Sequence, residues 1–153
     1  MKSLIVLYSY HHRDTEKLAK VFVKILNGQI ITSQQINPEE LQGYDLIGFG
    51  SGIYSGKHHR FLLDLADKLI HVINGRAFLF STCTFKREVA KNHSVLREKL
   101  QSKGFVISGE FGFRGFNTNS FIKYVGGVNK GRPNVEDLND AELFIQNLKQ
   151  SLE

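Results

Sequence analysis

Short apolar runs alternate with amphipathic stretches along the whole chain, and that alternation leaves few folds open. Residues 3–8 (Ser-Leu-Ile-Val-Leu-Tyr) form a continuous run of strand formers, the pattern of a parallel strand buried on both faces. Polar residues 9–14 follow. Leu18, Ala19, Phe22, Ile25 and Leu26 then recur at helical spacing, and Gly28 closes the helix. Residues 29–33 read as a weaker strand, and Asn37-Pro38 opens one helical turn with proline at its first position. Residues 45–50 are a second buried run, 51–58 a loop, and 59–70 a helix with Phe61, Leu62, Leu65, Ala66 and Leu69 on its apolar face. After Gly75 come a strand over 76–81, a helix over 91–103 stopped by Gly104, and a strand over 105–111. Residues 112–133 are Gly-rich and irregular. A closing helix over 134–152 has Asn134 as its N-cap, with Leu138, Ala141, Ile145, Leu148 and Leu152 facing inward.

Strands that alternate with helices imply a parallel sheet covered on both faces. The expectation is an α/β fold: a five-stranded, doubly wound three-layer sandwich forming one domain over residues 1–153. In such sheets ligands bind beyond the carboxyl ends of the strands, at the point where the strand order reverses. Three loops, 9–15, 50–58 and 81–88, are therefore expected to converge on one site.

Composition narrows the function. With 153 residues and 41% hydrophobic content the chain can bury a core, which excludes disorder. No apolar run approaches the roughly 18–20 residues of a membrane helix, and residues 1–8 lack the layout of a signal peptide. The lone cysteine, Cys83, cannot form an internal disulfide, so a reducing cytoplasmic compartment is expected. The formal net charge of +5 fits nucleic acid, an anionic membrane or an acidic partner protein. Its basic residues are scattered, with local clusters at Lys86-Arg87 and His58-His59-Arg60. No stacking aromatics interleave with them, so no nucleic-acid partner is expected, and no membrane partner either.

The first loop, Ser9-Tyr10-His11-His12-Arg13-Asp14-Thr15, joins a strand to a helix N-terminus, where free N–H groups receive a phosphate. Ser9 and Thr15 add hydroxyls; His11, His12 and Arg13 add charge or further donors. The plain alternative is an Asp/Thr helix cap with exposed histidines. Here the chain resembles flavodoxins. Their first loop reads Ser/Thr-x-Thr-Gly-x-Thr, often followed by Glu-Lys and an apolar helix. Asp14-Thr15-Glu16-Lys17-Leu18-Ala19 matches the second half. Arg13 stands at the usual glycine, His12 at the usual threonine, and Tyr10 in the leading Ser/Thr slot, with Ser9 one place earlier.

The second loop, Gly50-Ser51-Gly52-Ile53-Tyr54-Ser55-Gly56-Lys57, has small residues that let a ligand approach the backbone. By the resemblance, Tyr54 flanks the flavin ring and Ser55-Gly56 is the peptide that turns to accept a bond from the reduced flavin. The alternative is a Gly/Ser turn whose tyrosine covers the core edge. In the third loop, Ser81-Thr82-Cys83-Thr84-Phe85-Lys86-Arg87, the resemblance assigns backbone donors to the pyrimidine end of the flavin and Phe85 to its other face. The family's glycines and acidic residue are missing here, and Phe85 as core filler is the alternative. Cys83 lacks the cysteine-to-arginine spacing of a phosphatase loop and reads as a small residue near the site. Arg114-Gly115-Phe116-Asn117-Thr118 and Asn129-Lys130-Gly131-Arg132-Pro133 extend the likeness past the fifth strand.

The resemblance implies a cytoplasmic, monomeric carrier that binds one FMN and passes electrons between redox partner proteins. Arg13, Lys57, His58, Lys86 and Arg87 all lie in the three loops, so the expected partner presents an acidic docking face. A rival on the same fold is an FMN-dependent oxidoreductase, such as a quinone reductase or a protoporphyrinogen dehydrogenase; the second loop of those enzymes resembles Ile53 to His58. No long insertion exists here to build a substrate pocket, which favours the carrier. A zinc or nickel site from His11, His12, His58 and His59 is disfavoured. No cysteine or carboxylate stands at ligand spacing with them, and adjacent histidines do not readily face one ion.

Overall fold

The computed structural model describes residues 1–9, 14–82, 89–113 and 135–153. The elements run β1 (Ser3–Tyr8), α1 (Asp14–Leu26), β2 (Gln29–Thr32), a 3₁₀ helix (Pro38–Gly43), β3 (Leu46–Tyr54), β4 (Lys57–His58), α2 (Arg60–Lys68), β5 (Gly75–Thr82), α3 (Val89–Asn92), α4 (Ser94–Ser102), β6 (Phe105–Phe113) and α5 (Val135–Leu152). Five strands pair in parallel in the order β2-β1-β3-β5-β6, as the alternation predicts. The order reverses between β1 and β3, which puts a crevice at the carboxyl ends of those strands.

Each face of the sheet buries its own core. Toward α1 and α5 lie Ile5, Leu7, Leu18, Phe22, Phe78, Phe80, Phe111 and Ile145. Toward α2 and α4 lie Leu4, Val6, Ile47, Phe49, Leu62, Leu65, Leu79, Leu96 and Leu100. Two glycines of β3 serve the first of these cores. A Cβ on Gly48 would lie 2.4 Å from the Phe78 ring, and one on Gly50 2.2 Å from the Phe80 ring. Gly50 is thus small to admit a core phenylalanine, not a ligand.

Three departures from the sequence reading matter for the site. β3 continues to Tyr54 and returns through Ser55 and Gly56 into β4, so 51–58 is a hairpin and not an open loop. Both turn residues have positive φ, 53° and 77°, as a two-residue hairpin of this hand requires. The expected helix over 91–103 is interrupted at His93, between α3 and α4. Finally, β5 and β6 slip register between Ala77 and Phe78, where Ser108 is the extra residue. The Asn134 cap lies outside the described residues.

Candidate functional site

The first-turn residue Thr15 of α1 sends its hydroxyl across to β5, with Oγ1 3.1 Å from Thr82 Oγ1. Thr82 ends β5 and pairs in register with Gly52 of β3. A Cβ on Gly52 would lie 3.5 Å from the Thr82 hydroxyl and 3.3 Å from the Tyr54 ring. Thr15, Gly52, Tyr54 and Thr82 therefore meet at the carboxyl ends of β3 and β5, over the N-terminus of α1. Ser9 follows the end of β1. Of the residues expected here, Tyr10, His11, His12, Arg13, Cys83 and Phe85 lie outside the described residues.

Tyr54 is 40% exposed, and its ring meets His59 edge-on with centroids 4.8 Å apart. Burial, and then the neighbouring Tyr8, push its phenol above the usual range. His59 stacks on Tyr8 at 3.8 Å, and Phe61 closes the group edge-on to Tyr8. Tyr8 and His59 are thus part of the rim, which the sequence reading missed. Tyr8 ends an apolar run and looks like core, while His59 looks like one of a solvated cluster. Beyond the hairpin, no described atom lies within 4 Å of a Cβ built on Gly56.

The adjacent histidines have unlike roles. His59 caps α2, its Nδ1 accepting from the Phe61 N–H at 3.1 Å. Its imidazole titrates below the ordinary range, through burial first and Arg60 second. His58 points inward and is buried, with Nε2 3.0 Å from the Phe80 carbonyl. A carbonyl only accepts, so Nε2 carries the proton. Burial, and then the nearby His93, lower His58 to about 3. It is neutral at physiological pH and adds no positive charge to the loops, contrary to the expectation from sequence.

Ser51 and Ser81 also differ from the expectation. Ser51 Oγ donates to the Gly52 carbonyl at 2.6 Å and accepts from the His59 N–H at 3.0 Å, tying β3 to the start of α2. Ser81 turns its side chain to the α2/α4 face, where Oγ lies 2.7 Å from His93 Nε2. Their backbones remain at the crevice; their hydroxyls are committed elsewhere. A separate hollow of about 500 Å³, lined by Leu41, Tyr44, Asp45, Arg76 and Phe105 among others, opens at the amino ends of the strands. It gathers none of the candidate site residues named from the sequence. No helix among the described residues is long and apolar enough to cross a membrane.

What this crevice does chemically follows from its parts. Two facing hydroxyls and a helix N-terminus suit an anion, and an exposed tyrosine beside a glycine turn suits a flat ring. A family model described as a flavodoxin domain matches residues 5–113. The chain is 45% identical to an uncharacterised protein of Methanocaldococcus jannaschii, over 97% of this chain and 98% of that one. Among solved structures it resembles oxidised flavodoxin 2 from Bacillus cereus, with TM-score 0.75, 18% identity and 99% of each chain covered. It also resembles Fusobacterium nucleatum flavodoxin bound to flavin mononucleotide, with TM-score 0.65, 13% identity and 99% of each chain covered.

Proposed function

The chain belongs to the flavodoxin family, and from that premise we propose that it binds one FMN in this crevice and carries electrons between redox partner proteins. The observation that carries the reading is the meeting of Thr15, Gly52, Tyr54 and Thr82 at the carboxyl ends of β3 and β5, next to the β1–β3 point where the strand order reverses. The donor set fits the cofactor. The Thr15 hydroxyl, the N–H groups of the first turn of α1 and Ser9 would hold the phosphate. Tyr54 would flank the ring, and the Ser55-Gly56 peptide and the backbones of Ser81 and Thr82 would bond its polar edge. Tyr10, His11, His12, Arg13, Asp14, Ile53, Cys83 and Phe85 complete the proposed set. FMN is favoured over FAD or NAD because the sequence offers one phosphate-sized loop, at 9–15. Bound FMN supplies a ring that takes up and returns electrons singly. The excess of basic residues supports a partner with an acidic docking face.

Titration of free FMN with the protein tests the reading. Quenching of flavin fluorescence at a one-to-one endpoint is expected; no quenching by a protein that is folded by circular dichroism overturns it. Turnover with NAD(P)H and quinones separates the carrier from an oxidoreductase on the same fold. Negligible turnover together with electron exchange with a one-electron donor protein is expected of the carrier.

A further inference from the structure

A hydrogen-bonded chain leads from the carboxyl end of β5 to the surface on the α2/α4 face. Ser81 Oγ lies 2.7 Å from His93 Nε2, and neither residue is exposed. His93 Nδ1 lies 2.9 Å from Glu110 Oε1. Glu110 accepts two hydrogen bonds from Arg97, each 2.8 Å, and Arg97 also donates to the Ala90 carbonyl. The Glu110 and Arg97 side chains are 23% and 25% exposed, so the chain begins in the dry interior and ends in water. Its inner end adjoins the crevice, because Ser81 directly precedes Thr82, whose hydroxyl faces Thr15.

The order serine, histidine, carboxylate is that of a hydrolytic triad. Ser81 is wholly buried, so no acyl group reaches its oxygen, and the geometry serves another purpose. Burial alone would raise the Glu110 carboxyl, but the hydrogen bonds from His93 and Arg97 outweigh it and hold the group at about 2. A carboxylate only accepts, so it takes the Nδ1–H of His93. In the neutral ring Nε2 then accepts the Ser81 hydroxyl. In the charged ring Nε2–H donates to the same oxygen after the hydroxyl turns. Both protonation states of His93 therefore keep both partners. His58 contrasts with it at a ring separation of 4.7 Å, since its Nε2–H is held by the Phe80 carbonyl and its Nδ1 has no partner among the described residues. The described groups facing His93 are His58 from β4, Ser81 from β5 and Glu110 from β6, with Arg97 of α4 behind Glu110 and Glu98 beside Arg97.

We propose that His93 takes up the proton that balances the charge of the reduced flavin in the adjoining crevice. This rests on the FMN reading above. Bound FMN that had received two electrons, one at a time, from a one-electron donor protein would carry one added proton and one negative charge. A second proton enters from solvent and settles on His93 Nε2, the Ser81 hydroxyl turning to accept it. Two electrons and two protons are then taken up, and the net charge of the buried unit is unchanged. Glu110 and Arg97 hold the imidazole in place and supply the carboxylate that its charged form needs.

The test is a long-range proton–nitrogen NMR correlation of the histidine rings in the FMN-loaded protein, oxidised and then fully reduced with dithionite at one neutral pH. On reduction His93 is expected to shift toward the doubly protonated form, the charged-to-neutral ratio rising at least about tenfold. His58 is expected to stay neutral in both states. A His93 spectrum unchanged by reduction, with flavin bound and reduced, overturns the relay alone. A protein that shows no flavin absorbance after loading overturns the FMN reading and the relay with it. In weakly buffered solution H93Q is expected to take up about one proton fewer per two electrons than wild type. Equal uptake by a folded H93Q counts against the relay, and if H93Q does not fold the wild-type NMR comparison decides.

Discussion

Along β5 alternate residues face opposite ways, and near the carboxyl end the two faces become different materials. Phe78 and Phe80 turn toward α1 and α5 and lie flat on Gly48 and Gly50, with Phe22 edge-on to both at 5.3 and 5.1 Å. Leu79 continues the other core, but Ser81, one pleat further, opens onto His93, Glu110 and Arg97. One face is an aromatic seam packed over the glycines of β3. The other is a polar network in which, among the described residues, the buried Nδ1 of His58 has no partner. The difference teaches that rigidity and charge response are assigned to opposite faces of the same strand. Substitutions should therefore separate them, stability without pH dependence on one side and pH dependence on the other.

The largest expected effect is on the seam. Phe80→Ala removes a wholly buried ring that fills the space over Gly50 and is expected to cost about 3–5 kcal/mol in urea unfolding. The loss should be the same at pH 5 and pH 8, because the described contacts of the ring are apolar and His58 bonds the Phe80 carbonyl, which the substitution keeps. A loss that changed markedly with pH would break the comparison.

The polar face should respond to acid. Folding lowers His58 from 6.5 to about 3, so the unfolded chain binds a proton that the native state refuses. Its contribution is whole above pH 6.5 and fades as pH falls toward 3. Glu110, lowered from 4.5 to about 2, loses its contribution in a lower window, below pH 4.5. Wild-type stability should thus fall steadily from pH 7 to pH 4. His58→Gln keeps a donor for the Phe80 carbonyl but has no titration, so its curve should be flatter over that range. Parallel curves for the two proteins would show that His58 is not the group responsible.

These features were unequally visible in the sequence. The alternation of apolar runs and helical periodicity needs only local pattern, and it predicted the five parallel strands and their helices. The β3–β4 hairpin was hidden because Ser55-Gly56 is a weaker turn signal than Asn-Gly and the returning arm has two residues. Ser81 was assigned to the crevice because its backbone is there, but the pleat turns its hydroxyl away. His93 lay unnoticed inside a helical stretch, since its partners Ser81 and Glu110 are 12 and 17 residues distant and only the β5–β6 pairing brings them together. Gly50 looked like room for a ligand, and only the facing Phe80 ring reveals what it accommodates.

At the crevice itself Thr15 and Thr82 top the aromatic face, and Thr15→Ala is expected to weaken FMN binding more than Cys83→Ser does. A hydrogen bond to a charged phosphate is worth roughly 1.5–3 kcal/mol, so the Thr15 variant should bind at least about tenfold more weakly. Fluorescence titration of both variants checks this. Equal affinities would remove Thr15 from the phosphate site and leave the hydroxyl pair as a strut between α1 and β5.

The smallest effect concerns surface charge. Lys57 stands exposed at the start of β4, and Lys86 and Arg87, outside the described residues, lie in the third loop. His58 drops out of this set because it is neutral. Positive charge near the ring stabilises a reduced anion, by on the order of 1 kcal/mol per pair at about 4 Å in water. Exposed pairs fall below that, and salt screens them further. The Lys57→Glu, Lys86→Glu, Arg87→Glu variant should therefore make the second reduction step more negative at low ionic strength. The shift should shrink in 1 M salt, where the screening length is about 3 Å. His93, shielded inside the fold, should keep its response to reduction in this variant. If the charge reversal leaves the potential unchanged at low salt, these residues do not tune the flavin and their role is limited to docking. If it alters His93 as well, the surface and the buried chain are not independent, and the division between the two faces fails at this edge.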